Sequence, residues 1–227
     1  MKKTEPVIEY NLSIRIFECI SIVVNILLCL YLFYSLKDYL AGSFLRLLSI
    51  GYLAWLFADF ASGLVHWLAD TWGKVTWPII GNVFIRSFQE HHIDPQSITR
   101  HDFIETNGTT FFVGIPFLII CTFFVDGNVN DFQKYIISIF ILTNLWTAST
   151  NQIHKWAHQS ERPGFVTYLQ NKKIILHPIQ HEIHHTGSFD HHYCITNGVL
   201  NPLLEKIGFF KFLEKAITKV TKLNPRD

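Results

Sequence analysis

Four apolar stretches, at about 14–36, 44–68, 109–125 and 135–150, dominate a chain of 227 residues. A helix needs roughly 20 apolar residues to cross the ~30 Å hydrocarbon core of a bilayer. The first two stretches meet that length comfortably. The third and fourth are shorter, and a pair of buried or re-entrant helices is their other reading. Composition agrees with a membrane chain: 16% of residues are charged, against about 25% in a typical soluble domain. The 20 Phe and 6 Trp suit lipid contact and interfacial belts. A net charge of +1 makes no case for nucleic acid as a partner. The four cysteines form no CxxC and suggest no disulfide framework. No repeat or linker divides residues 1–227, so the chain reads as one all-α integral membrane domain.

The start of the chain does not read as a cleavable signal. Its apolar region begins late, carries Arg15 and Glu18 at its edge, and has no small-residue cleavage site after it. With four spans and the N-terminus inside, regions 66–101 and 154–192 fall on one face. Lys2, Lys3, Lys155, Arg162, Lys172 and Lys173 lie on that face, whereas the loop at 126–131 has acids and no base. The positive-inside rule makes the shared face cytosolic. The tail at about 202–223 repeats Leu203, Ile207, Phe210, Leu213, Ile217 and Val220, with lysines between them. It predicts an amphipathic helix, lying on an anionic membrane face or packed on the protein's own cytosolic cap.

The twelve histidines all fall in those two cytosolic regions. His154 and His158 are four apart, a spacing that stacks two rings on one helical face. His66 and Asp70 repeat the arrangement at the end of the second stretch. In HEIHH, His181, His184 and His185 converge on a helix, and the adjacent pair can aim at two neighbouring metals. His91 and His92 are a second adjacent pair. One zinc takes three or four ligands, so eight imidazoles on one face predict a di-metal cap, and two irons suit it best. A lone histidine at a span's end is an ordinary interfacial residue, which is the bland reading of His66 taken singly. His101, His177, His191 and His192 are left outside the ligand set, the last two as loop or supporting residues. Asp70, Glu90, Asp94 and Glu182 are candidates to orient imidazoles through their second N–H, and Asp70 is equally a candidate ligand. Arg86 and Arg100 are candidates to hold a phosphate group. Asp59, inside the second stretch, is either functional or hydrogen-bonded to Ser62.

At these residues the chain resembles the plasmanylethanolamine desaturases, the Kua or CarF-like family of histidine-box membrane desaturases. The matching stretches are DFASGLVHWLADTWG, IRSFQEHHIDPQSITRHDFIETNG, NQIHKWAH, HEIHH and YCITNGVLNPLLEKIGF. The ITRHDFIETNG string is what separates the resemblance from the plant branch that desaturates an acyl chain of plastid phosphatidylglycerol. The resemblance implies a multi-pass enzyme with two non-haem irons and O2 as co-substrate. It implies a vinyl-ether double bond formed in the sn-1 alkyl chain of a membrane ether phospholipid, with electrons from a small carrier such as cytochrome b5 or a ferredoxin. Carried over by position, the histidine boxes are His154 with His158, and His181 with His184 and His185. His66, Asp70, His91 and His92 match the other metal-side positions. Two departures are visible: Gln180 stands where the family often has a histidine, and the N-terminus is short.

Breaking an unactivated C–H bond lies beyond side-chain acids and bases, so the cofactor must carry that step. The expected membrane is a bacterial inner membrane or the endoplasmic reticulum. An acyl-lipid desaturase or hydroxylase with the same ligands is the sibling reading. A membrane haem or metal-binding protein is the non-enzyme alternative, though haem would want histidines facing one another inside the bundle.

Overall fold

Among the described residues of the computed structural model, 10–77 and 81–226, every regular element is helical. The order is α1 (Leu12–Ser35), α2 (Lys37–Ala41), α3 (Phe44–Trp72), a π-helical turn (Gly81–Ile85), α4 (Arg86–Ile93), α5 (Ser97–Arg100) and α6 (Phe103–Val125). Then follow α7 (Asp131–Ala148), α8 (Thr150–His158), α9 (Gly164–Asn171), α10 (Pro178–His184), α11 (Asn201–Lys206) and α12 (Phe209–Thr221).

Helices α1, α3 and α6 are long and apolar enough to cross a membrane. Helix α7 has 18 residues, about 27 Å at 1.5 Å per residue, and opens with Asp131 and Lys134. After Ser149 it runs on into α8. The third apolar stretch begins as a helix six residues earlier than its hydropathy suggests, because the Asp102 side chain accepts from the Ile104 and Glu105 amides and caps it. Helix α3 has 29 residues, about 43 Å, well beyond the ~30 Å of hydrocarbon. Its surplus length lifts His66 and Asp70 past the apolar part.

Helices in lipid gain little from burying apolar surface against each other, so close approach and polar bonds hold them. Glycine supplies the approach: a Cβ on Gly108 of α6 would lie 2.3 Å from the Glu18 Cβ of α1. The polar bonds come from two buried asparagines. Asn25 of α1 donates to the Phe111 carbonyl of α6 (2.7 Å), and Asn144 of α7 donates to Asn25 Oδ1 (3.0 Å). The outward surfaces of α1 and α6 stay apolar, with Leu27, Leu30, Phe117 and Phe123 among the exposed residues.

The tail differs from the single helix expected over 202–223. It forms two helices, broken where Gly208 takes a left-handed φ of +63°, a conformation glycine adopts without strain. Phe210, Leu213 and Ile217 of α12 pack with Trp67, Tyr193 and Leu204. That apolar stripe therefore covers the protein itself. Phe212 and Val220, on another side of α12, are exposed.

Candidate metal centre

One stripe along α3 sets the frame. Asp59, Ser62, Gly63, His66 and Asp70 recur at helical spacing and share a face. The segment from Tyr193 to Leu200 lies along that face. Asp59 is fully buried and its carboxylate accepts from the backbone N–H groups of Asn197 (2.8 Å), Gly198 (2.8 Å) and Leu200 (3.1 Å). Its side chain thus serves this distant loop, not Ser62, whose hydroxyl donates to the Asp59 carbonyl and accepts from the Ile195 amide. Gly63 permits the contact: a Cβ there would stand 2.5 Å from Cys194 Sγ.

The docked segment and the two residues before it reach the histidines through their backbone. His66 Nδ1 lies 3.1 Å from the Tyr193 carbonyl, and His184 Nδ1 lies 2.7 Å from the His191 carbonyl. Each carbonyl accepts an Nδ1–H, which leaves the Nε2 lone pair free to bind a cation. Phe189 stacks on His92, their ring centroids 4.4 Å apart.

The eight histidines and Asp70 assemble into two groups. The first holds His91, His154, His158, His181 and His185; the second holds His66, Asp70, His92 and His184. Within each group the candidate ligand atoms lie within 4.8 Å of one another. Nε2···Nε2 separations are 2.7 Å for His154–His181, 3.0 Å for His185–His181, 3.1 Å for His91–His185 and 3.3 Å for His158–His154. Adjacent residues part company: His91 and His185 point into the first group, His92 and His184 into the second, with His92 Nε2 3.1 Å from His184 Nε2. The split arises because neighbouring positions on α4 and at the end of α10 differ by about 100° around the helix.

The donor set fits metal. Ligands about 2.1 Å from one cation stand roughly 3.0–3.4 Å from each other, close to these spacings. A neutral imidazole carries one proton for two nitrogens, so five converging Nε2 atoms cannot all be satisfied by mutual hydrogen bonds. His66 Nε2 and both Asp70 oxygens are buried without a hydrogen-bond partner, although His66 Nε2 lies 3.2 Å from Asp70 Oδ2. Distance alone would make that pair a bond; its geometry does not.

The other candidates sit elsewhere. Glu90 pairs with Arg86, and Asp94 pairs with Arg100. Those four residues therefore satisfy each other and not an imidazole. His177 caps α10 by accepting from the Ile179 amide, and His101 meets Glu105 at 2.7 Å. The supporting carbonyls of His191 and Tyr193 went unforeseen because backbone atoms leave no signature in residue type.

Burial pushes the imidazoles of His91, His154, His181 and His184 far below their usual 6.5, and repulsion among neighbouring rings adds to it. Burial also brings His158 down to about 4 and, helped by repulsion from His158, brings His185 to about 3. Above pH 6.5 these rings are neutral in folded and unfolded chains alike. Below it the unfolded chain takes up protons that the folded chain refuses, so stability falls as pH falls from 6.5 through about 4. Metal-stripped protein is therefore expected to melt at progressively lower temperature between pH 7.5 and pH 5 in detergent. A flat melting temperature over that range would contradict the burial of these rings.

A family model described as a lipid desaturase domain matches residues 55–227. The chain belongs to the lipid desaturase family. The matched region contains both donor groups and begins inside α3. The plasmanylethanolamine desaturase of Myxococcus xanthus is 42% identical over 220 residues, covering 96% of this chain and 76% of that protein. Plasmanylethanolamine desaturase 1 of Mus musculus is 47% identical over 176 residues, 75% of this chain and 65% of its own length. Chloroplastic fatty acid desaturase 4 of Arabidopsis thaliana is 31% identical over 207 residues, covering 87% of this chain and 61% of the plant protein. No solved structure matches the chain.

Proposed function

We propose that this protein is an O2-dependent desaturase that introduces the vinyl-ether double bond into the sn-1 alkyl chain of an ether phospholipid. The observation that carries this reading is the 42% identity across 96% of the chain to a plasmanylethanolamine desaturase. The two groups of buried donors support it, because an oxidoreductase acting on an unactivated chain needs metal. Two non-haem irons, when bound, supply with O2 the C–H oxidation that no side chain can perform. His91, His154, His158, His181 and His185 hold one position; His66, His92 and His184 hold the other. Overall, two hydrogens leave the alkyl chain, two electrons and two protons arrive from the donor side, and O2 becomes two waters. A small carrier such as cytochrome b5 or a ferredoxin supplies the electrons.

The fold suits a substrate that lives in lipid. With α1, α3, α6 and α7 all crossing, the end of α3, the start of α6 and the end of α7 share a face, so the histidines stand together on the cytosolic side. Lys155, Arg162, Lys172 and Lys173 lie there, in keeping with the positive-inside rule. Lys211, Lys215 and Lys219 flank the exposed Phe212 and Val220 of α12, a pattern suited to an anionic headgroup layer. Arg86 and Arg100 reach a substrate phosphate by exchanging their carboxylate partners for it.

Lipid mass spectrometry tests the reading in a plasmalogen-free host expressing the chain and fed a 1-O-alkyl phospholipid. An acid-labile product lighter by two hydrogens is expected. Its absence, in cells that contain the protein and its iron, would overturn the vinyl-ether assignment. New double bonds in acyl chains instead would align the protein with its chloroplastic relatives.

A further inference from the structure

We infer that Phe189 is a shield over the seam between the two donor groups, held there by a strained turn, and that it keeps water and water-borne reductants from the metals. This inference rests on the di-metal reading above.

The members of the second group are unequally buried. The side chains of His66 and His184 are 0% exposed and that of Asp70 is 4% exposed, whereas His92 stands at 14%. Phe189 lies on that weakest point. Its ring stacks on His92, with centroids 4.4 Å apart and planes 13° from parallel. The same ring lies edge-on to His184 at 6.1 Å and to His185 at 6.0 Å. His184 belongs to the second group and His185 to the first. One apolar ring thus borders ligands of both metal positions. Solvent begins here, since Thr186, Gly187 and Ser188 are exposed and Phe189 itself is part-buried.

The backbone carries a cost to put the ring there. Phe189 has φ +53°, a left-handed conformation that so bulky a side chain rarely takes. Gly187 (φ +86°) and His192 (φ +57°) are left-handed in the same turn. A strained residue persists where its surroundings over-determine it, and such residues gather at functional sites. This turn is tied down just beyond Phe189. Asp190 lies 3.0 Å from His191 Nδ1, the His191 carbonyl lies 2.7 Å from His184 Nδ1, and Glu205 accepts from the His192 amide at 3.2 Å. Glycine would take the conformation at position 189 without strain. What phenylalanine adds is the ring and what the ring covers.

Closure at this point matters for the proposed reaction. Shutting water out strengthens every electrostatic interaction at the centre and prevents side reactions of its oxidising power. The apolar surroundings of a metal site likewise control solvent access to it.

Ferrozine, a hydrophilic chelator of ferrous iron, tests this on reduced, iron-loaded full-length protein in detergent, without relying on turnover. Wild type is expected to yield its iron slowly. Phe189→Ala should load the same iron per chain and release it ~10-fold faster or more, the scale on which groups around a metal site act. Phe189→Gly separates shielding from packing. It relieves the backbone strain, so its melting temperature should equal or exceed that of Phe189→Ala, yet its iron should leave at least as fast. Phe189→Tyr keeps the ring and should restore slow release. Wild-type release from both the alanine and the glycine variant would overturn the shield. Release that simply follows melting temperature across the series would overturn it too, as would iron that loads into neither variant. Wild type that holds no iron would instead overturn the metal reading, and this inference with it.

Discussion

His184→Ala is expected to abolish the desaturated product and to weaken metal binding in its group. Removing it cuts the group to His66, His92 and Asp70, the smallest donor set that holds a divalent ion with open positions, so its metal should be held more weakly. It also removes the ring that the His191 carbonyl orients at 2.7 Å. His158→Ala should behave differently. Four imidazoles remain in its group, three of them buried, enough to retain metal. Loss of outer partners alone typically costs 10–100-fold at metal sites, so turnover should still fall by ~100-fold or more. Iron per chain measured beside product formation separates the two effects. Equal iron loss in both variants would contradict the unequal donor counts.

Asp59→Ala is expected to be the most destabilising single change outside the histidines. It orphans three backbone N–H groups in the protein interior, those of Asn197, Gly198 and Leu200. Each unsatisfied buried donor costs about 1–3 kcal/mol, so the sum for three is roughly 3–9 kcal/mol. That is a large part of the 5–15 kcal/mol by which proteins are usually stable. The melting temperature in detergent should drop by ~10 °C or more. The loss reaches the metal centre, because the segment anchored by Asp59 carries the carbonyls of His191 and Tyr193. Iron content should therefore fall as well. Asp59→Asn should lie between, since an amide offers one acceptor oxygen where the carboxylate offers two. Wild-type melting and iron content in Asp59→Ala would sink this account of the loop.

Much of the centre was legible because its signals are local. Helical spacing joins His154 to His158 and His66 to Asp70, and the same period places His181 near His184 and His185. Apolar run length locates α1, α3 and α6 because one helix must span the hydrocarbon by itself. Legibility failed where a partner is remote in the chain. The role of Asp59 depends on residues 138 to 141 positions away. The orienting groups of His66 and His184 are backbone carbonyls, which every residue possesses. The break in the tail turned on Gly208, whose left-handed φ interrupts an apolar period that otherwise continues through it.

What the sequence determined by itself was therefore the inventory and the side: helices long enough for a bilayer, and eight histidines with Asp70 gathered at one face. Periodicity and hydropathy suffice for that, since both act within a single helix. Only the tertiary structure decided the partition. The adjacent pairs already diverge within their own helices, but the fold decided which of His66, His154, His158 and His181 joins each half, and it turned Asp70 toward the Nε2 atoms of His66, His92 and His184. Those choices depend on how α3, α4, α8 and α10 pack against one another, and no one helix carries the angle at which it meets the next.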